Sequence, residues 1–436
     1  MSDAARAAAA APRPVTGPRV ARLARQLETA RDSAARDALT EAFWDGVTRV
    51  GTPLVEALDD APGHRAVTFL WRGHRATRQV LLMATGIGDL DRPADTLLHH
   101  LPGTDVWYLG FRLRADHRGS YRLVADISPG PAPADPALLQ RRLVALTAHG
   151  VADPLNPRRL PVRRRDVESS VFALPEAAPQ PWAGRRDGIR RGAVERHTVT
   201  GRTPGEEREV WTYLPPDGAG NPARGRPEPE PESGPLPVLV LCDGGMWFGR
   251  LGFQDTLDAL IADGALPPLA VLSPDAGDAA TGQRDPGGRE ACAAFLADEL
   301  LPWARARWPL TADADRTAVS GQGLGGTTAL YAALTRPERF GRALVQSPAP
   351  GPPADGGDRT PGEGDLPPGG GDRTPAPVVH LALGLHDGAA SVEYGEALVP
   401  ALRARGHRVV RTVHNGGRDH ACWQGLLADA LVESFR

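Results

Sequence analysis

A glycine-rich turn in the second half of the chain has the spacing of a site for nucleophilic catalysis. Residues 317–320 have the pattern of a short buried strand, residues 321–325 read Gly-Gln-Gly-Leu-Gly, and residues 326–336 have the pattern of a helix. A strand, a sharp turn and a helix in this order are typical of the pattern G-x-S-x-G, whose serine attacks a carbonyl carbon. Here Gly323 occupies the serine position. The glycines that form the turn are present, but the serine side chain that would attack a carbonyl carbon is missing.

The elements that must position this turn alternate between strands and helices from residue 193 onward. The continuous apolar run 236–241 has the composition of a central parallel strand, and further buried strands are predicted at 269–272, 342–345 and 378–383. Helical patterns separate them. The alternation predicts a doubly wound α/β sheet over residues 193–436. Within it, residues 349–377 form a low-complexity insertion that contains Gly-Gly-Asp-Arg-Thr-Pro twice.

The first half of the chain has a different pattern. Residues 1–39 are predicted to be a disordered lead followed by an N-terminal helix. Residues 40–165 contain short alternating strands separated by turn residues, which is typical of a β-sandwich-like domain. Residues 166–192 form an Arg-rich linker. The expected fold class is therefore α/β, with an N-terminal β-sandwich-like domain and a C-terminal doubly wound domain.

Composition excludes several classes of function. The 436 residues carry a formal net charge of −3, so no global charge favours nucleic acid. All 50 basic residues are arginines, which excludes Schiff-base lysines and Walker-type phosphate loops. The three cysteines lie far apart, without metal-ligand spacing, and no apolar run is long enough to span a membrane. We therefore expect a cytoplasmic protein without a metal or another cofactor, and no feature indicates an oligomeric state.

Three segments are expected to be mobile. Residues 1–15 are an Ala- and Pro-rich lead, residues 217–235 are rich in Pro, Gly and Glu, and residues 349–377 are the insertion. Such compositions cannot bury enough apolar area to fold.

Motifs in both halves match one family. In the first half they include Val67-Thr68-Phe69-Leu70-Trp71-Arg72 and Ala152-Asp153-Pro154-Leu155-Asn156-Pro157. In the second half they include Asp243-Gly244 with Trp247, Gly321-Gln322 with Leu324-Gly325-Gly326, and Gly416-Gly417 with Asp419. Over roughly residues 40–436 the chain resembles the enterochelin esterases. The resemblance implies an N-terminal sandwich-like domain, a C-terminal α/β-hydrolase domain and cleavage of trilactone catecholate siderophores.

The resemblance also implies a triad, and this chain departs from it at two positions. The family's nucleophile falls on Gly323, its acid on Asp387 and its catalytic histidine on Arg418. We expect these three positions to converge at the carboxyl ends of the strands. Arginine stays protonated and is no base, but it has the reach to form an ion pair with Asp387. Arg418 is therefore interpreted as a compensating partner of the retained acid.

The groups that would bind a ligand are retained. The backbone amides of Gly245 and Leu324 are the candidate oxyanion hole, because backbone donors persist through side-chain replacement. The side chains of Met246, Trp247 and Trp423 are the candidate substrate-binding residues. A tight turn is the simpler interpretation of Gly244-Gly245.

Four other side chains are weaker candidates for replacing the lost groups. His420 lies two residues after Arg418, which turns it away by roughly 200° if the segment is helical. It acts as a base on water only if the backbone shifts there. His386 is adjacent to Asp387, Ser320 is interpreted as a small core residue, and Ser347 as a capping residue at the end of a strand.

Three functions remain open at this point. The chain is an enterochelin-esterase-like hydrolase with weak or altered activity, or a non-catalytic protein that binds a ferric catecholate siderophore or another ester. The third alternative is an interaction protein of the same pathway. The loss of two triad side chains favours the second and third functions, because selection for turnover would retain both.

Overall fold

The computed structural model describes residues 12–88, 92–128, 133–162, 166–201, 207–216, 234–275, 286–350, 366 and 376–436. The chain divides into two compact units. The first contains Met1–Ala178 together with Asn415–Cys422, and the second contains Pro179–His414 together with Trp423–Arg436. The segment that carries Arg418 thus clusters with the first unit, although both of its flanks belong to the second.

The first unit consists of two antiparallel sheets and three helices among its described residues. One sheet has the strand order β1-β6-β3-β2 with β5 paired to β6, and the other has the order β4-β7-β9-β8. The strands are β1 Arg13–Pro14, β2 Leu54–Ala57, β3 His64–Arg72, β4 Gln79–Ala84, β5 His99–His100, β6 Val106–Arg114, β7 Arg118–Asp126, β8 Arg159–Pro161 and β9 Glu168–Ala173. The helices are α1 Pro18–Glu28, α2 Ser33–Val50 and α3 Pro136–Leu146.

Alternating apolar residues build the core between the two sheets. Phe69 on β3 packs edge-on against Tyr121 on β7, with ring centroids 4.8 Å apart, and against Phe172 on β9 at 5.6 Å. All three side chains are buried in one apolar cluster. Because residues two apart on a strand face the same side, this pattern predicts the sandwich that is observed.

Two features of the first unit differ from the expected boundaries. Helix α2 runs through residue 40, where the β domain was expected to begin, because Trp44 and Val47 pack with α1 in a second apolar cluster. Strand β9 lies within residues 166–192, which were expected to be a linker. Its register with β7 pairs Arg118 with Ala173 and Tyr121 with Ser170, so part of this segment completes the second sheet.

The second unit is built on an eight-stranded sheet among the described residues. Its order is β10-β11-β13-β12-β14-β15-β16-β17, and every neighbouring pair from β13 to β17 is parallel. The strands are β10 Ala193–Thr200, β11 Glu207–Leu214, β12 Val238–Leu241, β13 Ala270–Pro274, β14 Thr317–Gln322, β15 Arg342–Gln346, β16 Val378–Gly384 and β17 Val409–His414. The expected doubly wound sheet is confirmed.

Helices connect the parallel strands. They are α4 Gly244–Trp247, α5 Gln254–Ala262, α6 Pro286–Ala294, α7 Leu301–Arg305, α8 Leu324–Thr335, α9 Ala389–Ala404 and α10 His420–Phe435, and a π-helical stretch, Phe295–Leu300, joins α6 to α7. Alternate residues of β12 belong to different cores. Val238 and Val240 lie in one apolar cluster, and Leu239 and Leu241 in another. Burial on both faces explains why this strand is continuously apolar.

Most of the segments expected to be mobile lie outside the described residues. Residues 1–11, 217–233, 351–365 and 367–375 belong to this group. Within the described ranges, no helix is long and apolar enough to cross a membrane. The same part of the chain has no group of three or more His, Cys, Asp or Glu arranged to hold a metal ion.

A buried histidine links β16 to the last helix and makes stability depend on pH. His380 Nε2 lies 3.2 Å from Ser434 Oγ, and burial, then the charges of Arg342 and Arg408, lower its pKa although Glu433 raises it. Since the folded-state pKa lies below the unfolded value of about 6.5, protons bind preferentially to the unfolded chain. The stability that neutral His380 contributes is complete above that value and is lost as the pH falls.

We therefore expect the destabilisation caused by His380→Gln to shrink between about pH 7.5 and pH 5. Denaturant unfolding of the wild type and the variant at several pH values measures it. His149→Gln, at an exposed position, is the matched control and should leave the pH dependence unchanged. A constant difference between wild type and His380→Gln over this range would contradict the assignment.

Candidate active site

Three residues with unusual backbone conformations end adjacent strands at one edge of the sheet. Asp243 follows β12 with φ 79°, Gly323 follows β14 with φ 59°, and Ser347 follows β15 with φ 46°. Positive φ is rare for residues other than glycine, and such strain concentrates at functional sites. Because β12, β14 and β15 are parallel neighbours, the three residues lie at the same carboxyl edge. In open α/β sheets this edge is where ligands bind.

The backbone of the elbow is retained around Gly323. Its φ of 59° and ψ of −122° form the sharp turn between β14 and α8, and its amide donates to the Gln346 carbonyl at 3.0 Å. A Cβ at Gly321 would lie 2.3 Å from the Gly325 oxygen, so only glycine fits there. The glycines on both sides of position 323 therefore preserve a turn that normally presents a nucleophile.

The two expected oxyanion donors have different surroundings. Leu324 begins α8, and its amide has no acceptor among the residues that the structure describes. The Gly245 amide instead donates to Asp275 Oδ1 at 3.2 Å. Asp275 directly follows β13, and its own amide donates to the Glu209 carbonyl at 2.8 Å. The Gly245 donor thus already faces a carboxylate, whereas no described residue accepts from the Leu324 donor.

Asp387 lies at the same edge of the sheet as Gly323. It follows the carboxyl end of β16, which pairs with β15, and only 7% of its surface is exposed. Its Oδ2 accepts a hydrogen bond from the Gly384 amide at 2.8 Å. The carboxylate therefore has a donor within its own turn, so its burial does not depend on Arg418 alone. The Asp387–Arg418 ion pair stays a prediction, because the two residues belong to different units.

The segment Asn415–Cys422 is anchored by its buried carboxylate. Asp419 Oδ2 accepts from the Ser120 amide at 2.7 Å and Oδ1 accepts from the Ala421 amide at 2.9 Å. Burial raises the pKa of the Asp419 carboxyl, although these hydrogen bonds oppose the shift. Arg418 is exposed, and His420 begins α10 in a half-buried position. Asp419, which is adjacent to Arg418, thus holds the segment Asn415–Cys422 in the first unit.

The three expected substrate-binding side chains are buried in the second unit. Trp247 is fully buried against Phe253, with ring centroids 4.9 Å apart, and Met246 and Trp423 expose 2% and 7% of their surface. Trp247 Nε1 donates to Gln322 Oε1 at 3.1 Å. Direct contact of these side chains with a ligand would require them to move, so that role stays a prediction. In this structure they pack beside the turns that carry the two candidate donors, Gly245 and Leu324.

The weaker candidates for replacing the lost groups are also located. Ser320 is fully buried on β14 and donates to the Leu344 carbonyl at 2.9 Å, which matches its interpretation as a core residue. Ser347 is fully buried, and its Oγ accepts from Trp423 Nε1 at 2.9 Å. His386 lies in the turn before Asp387 and is half-buried. Neither serine is accessible to a substrate in this conformation.

Four polar residues of this site were not predicted as site residues, although two of them, Gln322 and Asp419, belong to the motifs of the family resemblance. Asp275, Gln322 and Gln346 each stand at or directly after the carboxyl end of a buried strand, which is the available signal. Asp419 stands beside the substituted base position. None of these side chains has a reactive role in a triad, and only their contacts identify them.

Known families and proteins match the chain over most of its length. A family model described as "Enterochelin esterase, N-terminal" matches residues 66–183, and one described as "Putative esterase" matches residues 202–433. The chain is 34% identical over 430 residues to the iron(III) enterobactin esterase of Dickeya dadantii, covering 91% of this chain and 92% of that protein. It is 32% identical over 399 residues to the iron(III) salmochelin esterase of Escherichia coli O6:H1, covering 89% and 92% respectively.

Solved structures agree with these matches. The crystal structure of the ferric enterobactin esterase from Salmonella typhimurium aligns with a TM-score of 0.71 at 26% identity, covering 90% of this chain and 98% of that one. The enterobactin esterase from Shigella flexneri, crystallised in the presence of enterobactin, aligns with a TM-score of 0.69 at 25% identity, covering 90% and 97%. The resemblance and the fold class expected from the sequence are confirmed.

Proposed function

Because the chain belongs to the enterochelin esterase family, we propose that it binds a catecholate siderophore ester and does not hydrolyse it at an enzymatic rate. The observation that carries the proposal is the backbone at Gly323. The elbow keeps the φ and ψ of a sharp turn, yet the residue at its tip has no side chain. Glycine adopts this conformation without strain, so the turn and its backbone donors persist although the attacking side chain is absent.

Two further features oppose hydrolysis. Arg418 cannot accept a proton from a nucleophile, because an arginine side chain stays protonated in proteins. The Asp275 carboxylate accepts from the Gly245 amide, and a negative charge at this donor disfavours the oxyanion of a tetrahedral intermediate. The nucleophile, the base and one oxyanion donor are therefore all compromised.

Other features favour retained binding. The Leu324 amide stands at the start of α8, where the dipole of a helix attracts anions. Arg418 replaces a titratable base by a permanent, exposed cation. Each of these groups, in its own unit, favours an anion, and a ferric catecholate carries negative charge. The solved relatives from Shigella flexneri were crystallised with enterobactin and with 2,3-dihydroxy-N-benzoyl-serine, which supplies the first ligands to test.

Titration calorimetry and product analysis on one sample test the proposal. We expect the wild-type chain to bind ferric enterobactin saturably, and chromatography of the same mixture to release no 2,3-dihydroxybenzoyl-serine above the buffer rate. Gly323→Ala is the matched variant, because its Cβ strains the elbow without adding a reactive group, and it should bind more weakly than wild type. No saturable binding of either the trilactone or its monomer would overturn the proposed function.

A further inference from the structure

A continuous line of side-chain hydrogen bonds runs beneath the candidate site. Trp247 Nε1 donates to Gln322 Oε1 at 3.1 Å, and Gln322 Nε2 donates to Gln346 Oε1 at 2.9 Å. Gln346 Nε2 donates to the Trp423 carbonyl at 2.9 Å, and Trp423 Nε1 donates to Ser347 Oγ at 2.9 Å. We call the part from Trp247 to the Trp423 carbonyl the amide relay. All its members belong to the second unit.

The amide relay joins the segments on which the site depends. Trp247 ends α4, which carries the Gly245 amide, and Gln322 directly precedes Gly323. Gln346 also accepts from the Gly323 amide through its own backbone carbonyl at 3.0 Å. Trp423 lies in the first turn of α10, directly after the segment Asn415–Cys422. One set of bonds thus connects the oxyanion turn, the elbow and the start of the last helix.

The direction of the relay is determined by its two ends. An indole nitrogen only donates and a backbone carbonyl only accepts. Gln322 must therefore turn its oxygen toward Trp247, which leaves its NH₂ for Gln346. Gln346 must then turn its own NH₂ toward the Trp423 carbonyl. Neither amide can flip without placing two donors or two acceptors against each other.

We propose that Gln322 and Gln346 are positioning residues whose one-way amide relay holds the elbow and the oxyanion turn in the geometry that a ligand needs. The proposal rests on the proposed function for the identity of the ligand. It accounts for two buried or half-buried glutamines that no triad chemistry requires. It also explains how the site stays ordered after its nucleophile and base were lost.

The variant Gln346→Glu tests the direction of the relay. Its carboxylate still accepts from Gln322, but it has no hydrogen to donate to the Trp423 carbonyl. When the carboxyl is protonated at low pH, its O–H donates there and the relay is restored. We expect Gln346→Glu to weaken the binding of ferric enterobactin about 10-fold at pH 8, equivalent to about 1.4 kcal/mol. Burial at position 346 raises the pKa of this carboxyl above its ordinary value of about 4.3, so the affinity should return toward that of wild type at the same pH when the pH falls to about 5.5.

Two variants separate the relay from a general loss of packing. Gln346→Met fills a similar volume without donor or acceptor and should be impaired at both pH values. Gln424→Glu adds the same charge one residue from Trp423 but outside the relay, and it should bind like wild type. Equal behaviour of Gln346→Glu and Gln346→Met across the pH range would overturn the proposal.

A second readout does not depend on the ligand. The indole N–H resonance of Trp247 and the backbone carbonyl ¹³C resonance of Trp423 report the two ends of the relay by NMR. We expect Gln322→Glu to force Gln346 to flip and therefore to move the Trp423 resonance as well as that of Trp247. If ferric enterobactin does not bind but both resonances move, the proposed function fails and the relay stands. If neither Gln322→Glu nor Gln346→Glu moves the Trp423 resonance, the relay proposal is overturned.

Discussion

The double variant Gly323→Ser/Arg418→His is expected to hydrolyse a catecholate trilactone with a kcat/KM about 10²- to 10⁴-fold above that of either single variant. Gly323→Ser alone returns a hydroxyl to the elbow but leaves no base to take its proton. Arg418→His alone supplies a base without a nucleophile. Because triad members act as a unit, the double should exceed the product of the single effects. Steady-state kinetics on the wild type, both singles and the double measures the effect.

Two controls separate restored chemistry from altered stability. A side chain at φ 59° and ψ −122° is strained by about 1–3 kcal/mol, so every variant of Gly323 should unfold more readily. Gly323→Ala/Arg418→His carries this strain without a hydroxyl and should remain inactive. Gly323→Ser/Arg418→Gln carries the hydroxyl without a base and should match Gly323→Ser.

The opposite outcome would identify different chemistry. Turnover by the wild-type chain within the usual enzymatic range of about 1 to 10³ s⁻¹ would rule out the degenerate triad. A water activated by a histidine would then replace the serine. His420→Gln and His386→Gln would distinguish the two candidate bases, and His420 would be the first to change.

The second large effect is expected at Asp419. Its carboxylate accepts from the amides of Ser120 and Ala421 and from the Thr85 side chain. Asp419→Ala would leave these donors buried without an acceptor. Since each orphaned donor costs about 1–3 kcal/mol, we expect the free energy of unfolding to fall by about 2–5 kcal/mol. Denaturant unfolding monitored by tryptophan fluorescence measures the loss.

Hydrogen exchange locates the cause of that loss. The Ser120 and Ala421 amides should exchange faster in Asp419→Ala, because both donate to the missing carboxylate. Arg418→Gln is the matched control, since it changes the exposed neighbour and leaves the hydrogen bonds of Asp419 in place. Equal stability of Asp419→Ala and Arg418→Gln would show that the carboxylate is not the anchor.

Local patterns of the sequence determined the elements that support the site. The apolar run at β12 predicts a strand buried on both faces, and the glycines around residue 323 predict a sharp turn between a strand and a helix. The substitutions at 323 and 418 are visible without any structure. These inferences succeed because strand periodicity, glycine geometry and the chemistry of a side chain are local properties.

The sequence alone did not predict where those elements end or how polar groups pair across them. Strand β9 was assigned to a linker because an Arg-rich flank hides a short strand, and only its pairing with β7 reveals it. The amide relay connects residues up to 77 positions apart, and Asp419 meets Ser120 across 299 positions. Contacts between residues so far apart in the sequence produce no local periodic pattern from which they could be predicted. The tertiary structure therefore decided that Asp275 faces the Gly245 amide and that the segment carrying Arg418 belongs to the first unit, because only folding brings these groups together.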